Sequence, residues 1–258
     1  WTAGSPETQR VMCNPCARRW LFIVSDGGRT GSTTLLDMLN AHPSIALAGE
    51  NDNALDEALR LWLKAAQQPV QSRSWQRSIP HPHHLMCLLQ NWFVDINIPR
   101  ERVQDSSIFG FKEIRWGWHH RLSDGGKALS YEDRTALLRF AEMLFPCSRF
   151  VFSIRRNGTE QEASQARSFG STNDFQEQKQ ALQRLSQDWP RWRSYTLPVE
   201  DFTLPGFNQM LEWLDERQCR FQRVLHANRL GFTHGKPLKF QLNANKTMVS
   251  PLLGSCKL

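Results

Sequence analysis

A run of apolar residues that breaks abruptly at glycine, followed by a hydroxyl-rich turn and a helical pattern, leaves a chain few ways to fold. Trp20 to Val24 is such a run of strand formers, and Asp26-Gly27-Gly28 ends it. Its lack of alternation suits a strand buried on both faces of a parallel sheet. Leu35, Leu36, Met38 and Leu39 recur at helical spacing, so a helix begins near Ser32, and Ile45 to Ala48 reads as a second strand ending at Gly49-Glu50. Strand, loop, helix and strand in that order point to an α/β layer architecture. The turn also constrains chemistry. Ser32-Thr33-Thr34 forms the first helical turn, where backbone N–H groups lack intrahelical acceptors and the helix dipole is positive, and Arg29 stands beside it. This is a ready anion site.

The Walker A loop, G-x-x-x-x-G-K-[ST], does not describe it, because Gly27 and Gly28 lack the second glycine at the right offset and no Lys precedes the hydroxyl residues. A second anion-binding pattern lies far downstream. Arg149 to Arg155 reads as a strand, Arg156 follows it, and Ser164 comes eight residues later. An Arg at a strand's carboxyl end and a Ser one or two turns into the next helix can face one phosphate. Between these two patterns, Ile108 to Ile114 reads as a strand that carries charge. Lys112 and Glu113 are neighbours and so point to opposite faces, which turns one of them toward the ligand cleft. Two readings of Lys112 stay open: a cation of the active site, or one member of a strand-end salt bridge with Glu113 and Arg115.

Arg29-Thr30-Gly31-Ser32-Thr33 resembles the 5′-phosphosulfate loop, R-[ST]-G-[ST]-[ST], of the sulfotransferases that use 3′-phosphoadenosine 5′-phosphosulfate (PAPS). Leu39-Asn40-Ala41-His42-Pro43 is similar to that family as well. The Arg156 and Ser164 pair resembles the family's 3′-phosphate site, although Gly158 stands where Pro is frequent and Arg155 is a neighbouring substitute for Arg156. The likeness runs from Trp20 to Gly170 and more weakly from Tyr195 to Phe202, which looks like the family's late strand followed by an acidic pair. It implies a P-loop-like sulfotransferase fold of the α/β class, a mainly parallel central sheet flanked by helices. It implies sulfonate transfer from PAPS to a hydroxyl or amine on a glycan, peptide, small alcohol or phenol, with no metal. Arg29, Thr30, Gly31, Ser32, Thr33 and Thr34 would hold the 5′-phosphosulfate, and Arg156 and Ser164 the 3′-phosphate. Lys112 resembles the active-site lysine of several branches. Glu50, 21 residues after Arg29, stands where the tyrosylprotein-type branch has its catalytic base. That role assumes that the first two strands are adjacent. The alternatives are that Glu50 caps a helix near Asn53, or that His119 or His120 is the base.

Composition sets the outer bounds. With 258 residues, 40% of them hydrophobic, and no mid-chain linker, the chain is expected to form one domain with a polar lead-in over residues 1–19 and a polar tail over 231–258. A net charge of +7 and a pI near 9.3 suit an anionic ligand, and equally plain solubility. No stretch approaches the ~20 apolar residues of a membrane span. The chain starts at Trp1 without Met or a signal-peptide pattern, as expected where a leader or anchor has been trimmed. The six cysteines, Cys13, Cys16, Cys87, Cys147, Cys219 and Cys256, permit three disulfides without requiring any. Zinc at Cys13 and Cys16 with the histidines of His81 to His84 is a weaker alternative. The sequon at Asn245 suits a surface site in a secretory protein, while the one at Asn157 falls in the loop assigned to the ligand. The resemblance implies the tyrosylprotein-like and carbohydrate-type branch and a Golgi or secretory location, with the cytoplasm as the alternative.

The remaining segments read as an amphipathic helix over residues 53–67 with Leu55, Leu59, Trp62 and Leu63 on one face, and a loop over 69–84. An apolar helix then spans Leu85 to Val94, another helix runs from Tyr131 to Phe145, and two helical patterns fall between Phe207 and Leu230. Two rival functions remain: a P-loop small-molecule kinase, opposed by the missing Walker lysine, and a non-catalytic basic module for anionic glycans or nucleic acid, which leaves both phosphate patterns idle. The enzyme reading needs no nucleic-acid partner.

Overall fold

The computed structural model describes residues 14–25, 30–50, 54–67, 82–113, 130–169, 175–225, 241–242 and 248–249. In chain order the elements are β1 (Arg19–Ser25), α1 (Ser32–Asn40), β2 (Ile45–Ala48), α2 (Ala54–Gln67), α3 (Pro82–Asn97), α4 (Arg100–Val103), β3 (Ile108–Glu113), α5 (Tyr131–Leu144), β4 (Ser148–Ile154), α6 (Gly158–Phe169), α7 (Phe175–Asp188), β5 (Ser194–Pro198), a 3-10 turn (Val199–Asp201) and α8 (Leu204–Trp213). Gln241–Leu242 and Met248–Val249 pair as a short antiparallel ribbon, β6 and β7, inside the stretch read as a polar tail. The main sheet has five strands in the order β2-β3-β1-β4-β5, every pairing parallel. This is the expected α/β class with a parallel sheet.

Alternation along the strands divides the interior into two layers. Trp20, Phe22 and Val24 of β1 share one face with Phe109, Phe111, Phe150 and Phe152, beneath apolar residues of α2, α3, α5 and α7. Leu21 and Ile23 point the other way, with Ile45, Val151 and Leu197, beneath α1 and α8. The first layer is aromatic, with ring centroids 4.4 Å apart for Trp20 and Phe145 and 4.8 Å apart for Phe22 and Phe111. Tilted packing at those separations adds roughly 0.5–1.5 kcal/mol per pair beyond area burial. The helix after β1 therefore covers one face and the helix after β3 the other. Strand order diverges at β1, which opens a crevice at the carboxyl ends of the strands beside the loop that follows it.

Several local expectations shift. The strands β1 and β2 are not neighbours, because β3 lies between them. Helix α3 begins at Pro82, inside the stretch read as loop, and runs past Val94 to Asn97. Leu55 of α2 is buried and Leu59 and Trp62 pack against the same core, but Leu63 faces solvent. After α8 the second expected helical pattern is absent through residue 225: the chain turns at Asp215, whose φ of 65° is left-handed. Residues 226–230 lie outside the described residues.

Candidate active site

The loop after β1 is held at its far end by two other strands. Gly31 precedes α1 at φ 72°, in the left-handed region where glycine carries no Cβ penalty, and contributes no side-chain cap. A Cβ there would meet Phe202 Cε2 and Val199 Cγ2 at 2.7 Å, so the loop is pressed against the 3-10 turn that ends β5. The Thr30 carbonyl accepts a hydrogen bond from Ser153 Oγ of β4 at 2.9 Å. Thr30 is fully buried, and its own hydroxyl finds no hydrogen-bond partner among the described residues. Ser32, Thr33 and Thr34 form the first turn of α1 as expected, with no acidic residue competing for its N–H groups. Arg29 lies outside the described residues.

The far end of α1 is clamped by the motif that follows it. Asn40 Nδ2 donates to the Leu47 carbonyl at 2.9 Å and Asn40 Oδ1 accepts from the Leu47 N–H at 2.7 Å, which fixes α1 against β2. His42 is buried, its Nδ1 accepts from the Ser44 N–H at 3.3 Å, and Arg102 donates to its carbonyl at 3.2 Å. Burial, and secondarily the Arg102 charge, push the imidazole down to about 4, so it is neutral. These residues lie at the amino end of β2 and act on the scaffold.

At the carboxyl end of the sheet, Ala48 pairs with Phe111, and the next residue of β3 is Lys112. Its ammonium lies 3.1 Å from Glu50 Oε1 and donates toward Thr33 Oγ1 at 3.5 Å. The lysine side chain is 5% exposed and that of Glu50 27%. Lys112 thus bridges the second residue past β2 and the first turn of α1. Of its two readings, the local salt bridge with Glu113 is not the one the lysine makes, and Arg115 lies outside the described residues. The expectation that β1 and β2 are adjacent is corrected, yet the intervening β3 supplies the lysine that joins Glu50 to the loop. His119 and His120 lie outside the described residues.

The second anion pattern sits at the end of β4. Arg156 is solvent-facing and its guanidinium forks onto Asp201, Nη1 donating to Oδ1 at 2.9 Å and Nη2 to Oδ2 at 2.5 Å. Glu200 accepts from the backbone N–H groups of Arg156 at 3.1 Å and Asn157 at 2.9 Å. Burial alone would raise the Glu200 carboxyl, but these bonds, its own backbone N–H and the Arg155 charge together hold it below the usual range. Asn157 Oδ1 accepts from the Glu160 N–H at 3.2 Å and caps α6, which engages the amide of the first sequon. Arg155 pairs with Glu160 at 2.6 Å. Ser164 lies on α6, two turns from Arg156. The acidic pair Glu200-Asp201 was visible in the sequence as a feature of the late strand. Its contact with Arg156 was not, since no local pattern couples residues 45 apart.

Among the described residues, no group of His, Cys, Asp and Glu is arranged to hold a metal ion. Cys16 is in a disulfide with Cys147, which removes its thiolate from any zinc site.

None of the curated proteins matches this chain. Among solved structures, it is similar to the sulfotransferase domain from the Synechococcus PCC 7002 olefin synthase, at 15% identity over 77% of this chain and 74% of that one, with a TM-score of 0.44. A sulfotransferase domain from the curacin biosynthetic pathway gives 14% identity, 77% and 74% coverage and a TM-score of 0.43. A sulfotransferase from Mycobacterium avium gives 11% identity, 78% and 64% coverage and a TM-score of 0.39. The profile described as "Sulfotransferase family" matches residues 21–203, from β1 through the 3-10 turn after β5, and so spans most of the chain. This protein belongs to the sulfotransferase family, whose members transfer sulfonate groups.

Proposed function

We propose that the chain transfers the sulfonate of PAPS to a hydroxyl or amine of a glycan, peptide or small alcohol or phenol. The observation that carries the proposal is the contact of Lys112 with both Glu50 and Thr33 at the strand ends. It sets a carboxylate, a buried cation and an anion-binding helix turn around one crevice. In this reading the acceptor oxygen or nitrogen attacks sulfur in line, its proton passes to Glu50, and the bond from sulfur to the 5′-phosphate oxygen breaks. The electron pair leaves with adenosine 3′,5′-bisphosphate. Lys112 and the loop from Arg29 to Thr34 offset the charge that grows on the sulfonate oxygens and the departing phosphate. Arg156 and Ser164 hold the 3′-phosphate. Cys16–Cys147, with Cys87 and Cys219 also in disulfides, favours an oxidising compartment and hence the secretory, tyrosylprotein-like or carbohydrate-type branch.

Thermal shift and turnover together test this reading. Adenosine 3′,5′-bisphosphate at ~100 times its dissociation constant should stabilise the protein by about 2.7 kcal/mol, with smaller effects from ATP and from a heparin-like polymer. Glu50→Gln should lower turnover ~10²- to 10⁴-fold while leaving bisphosphate binding intact. A folded sample indifferent to millimolar bisphosphate would remove the donor assignment. Turnover within about threefold of the parent would pass the base role to His119 or His120.

A further inference from the structure

Lys179 is a charge that the site described so far does not use. It lies in the second turn of α7, is 9% exposed, and donates to the Arg156 carbonyl at 3.3 Å. Among the described residues no carboxylate stands within ion-pair distance of it, so its one partner there is a neutral oxygen. The acidic groups nearby are otherwise engaged: Glu160 with Arg155, Asp201 with Arg156, and Glu200 with the N–H groups of Arg156 and Asn157. A desolvated ammonium without a counter-ion is costly, and the positive end of α6 beside it adds to the cost. The chain nevertheless makes room for it. A Cβ at Gly158 would lie 2.5 Å from Lys179 Nζ, so the glycine leaves the space that the ammonium fills. A group of this kind wants an anion.

We infer that Lys179 is a further binding residue for the 3′-phosphate of the donor, acting with Arg156 and Ser164 from beneath the first turn of α6. The inference rests on the donor reading above and adds to it a cation contributed by a different helix. Two donors of the ammonium remain after its bond to the Arg156 carbonyl, and a phosphate dianion is the acceptor that matches both its charge and its hydrogen-bonding capacity. Gly158 and Lys179 then act as a unit: the residue that departs from the commoner proline is the one that admits the lysine.

The test compares adenosine 3′,5′-bisphosphate with adenosine 5′-monophosphate, which lacks the 3′-phosphate, by calorimetric titration. Lys179→Met should weaken bisphosphate binding about tenfold or more while changing monophosphate binding less than twofold, and Lys179→Arg should stay within about threefold of the parent. Gly158→Ala, which forces the ammonium aside, should lose part of the same discrimination and serves if Lys179→Met does not fold. A folded Lys179→Met or Gly158→Ala protein that keeps the parent's ratio of the two affinities, while Arg156→Ala collapses it, overturns the role of Lys179 and leaves the donor reading standing. A parent protein that binds both nucleotides equally overturns both.

Discussion

His42 shows how a residue that resembles a family's signature can serve the scaffold alone. Its imidazole is buried, its Nε2 has no hydrogen-bond partner among the described residues, and Arg102 lies against it. With the folded value lowered from 6.5 to about 4, the unfolded chain binds the proton more readily than the folded one across that window. The contribution to stability is therefore fully present above about pH 6.5 and is lost as pH falls toward 4, at up to about 1.4 kcal/mol per unit. His42→Gln should flatten the dependence of Tm on pH between 7 and about 5. Parallel profiles for parent and variant would show that other groups set acid lability. At the candidate active site, Glu50 and Lys112 were each legible as single residues from strand-end position and from charge in an apolar run. Their 3.1 Å contact was not, because it depends on which strand lies between.

Among elements, the passage from β1 into α1 was the most legible, since an apolar run, a glycine break and a helical period each mark a boundary independently. Sheet order was less so: β3 enters between β1 and β2 through long-range packing that no local pattern encodes. Helix α3 begins early for a related reason, as its first turn carries the Pro and His residues that read as loop. Proline at a helix's first position loses nothing, because its missing N–H had no intrahelical partner there. The joint before α1 makes the sharper experimental case. An alanine at Gly31 must adopt φ near 72° and crowd Phe202 and Val199, and the backbone alone costs about 1–2 kcal/mol. Gly49, where an added Cβ would meet nothing within 4 Å, is the matched control. Gly31→Ala should lower Tm by several degrees and weaken bisphosphate binding, while Gly49→Ala changes stability by less than about 0.5 kcal/mol. Equal behaviour of the two variants would mean that the loop is not held by the 3-10 turn after β5.

Among the described residues, the Cys16–Cys147 disulfide and the candidate site lie at opposite ends of the sheet. Cys16 precedes β1 and Cys147 lies in the turn before β4, so their disulfide joins the lead-in to the amino ends of the strands across 131 residues of sequence. Glu50, Lys112 and Arg156 stand at the carboxyl ends of β2, β3 and β4. Six cysteines left the pairing open in the sequence, because connectivity depends on which turns the fold brings together. A link that closes so long a loop removes conformational freedom mainly from the unfolded chain, a contribution of about 2–4 kcal/mol. For a chain of this size each kcal/mol moves Tm by about 2–4 °C. Replacing Cys16 and Cys147 together by serine should therefore lower Tm by roughly 4–16 °C, with the affinity of the folded protein for adenosine 3′,5′-bisphosphate within about twofold of the parent. An unchanged Tm would show that the lead-in contributes nothing to global stability and would weaken the case for an oxidising compartment. A large loss of nucleotide affinity in protein that is still folded would show that the two ends of the sheet are coupled, since a constraint acting only on the unfolded chain leaves the native crevice as it was.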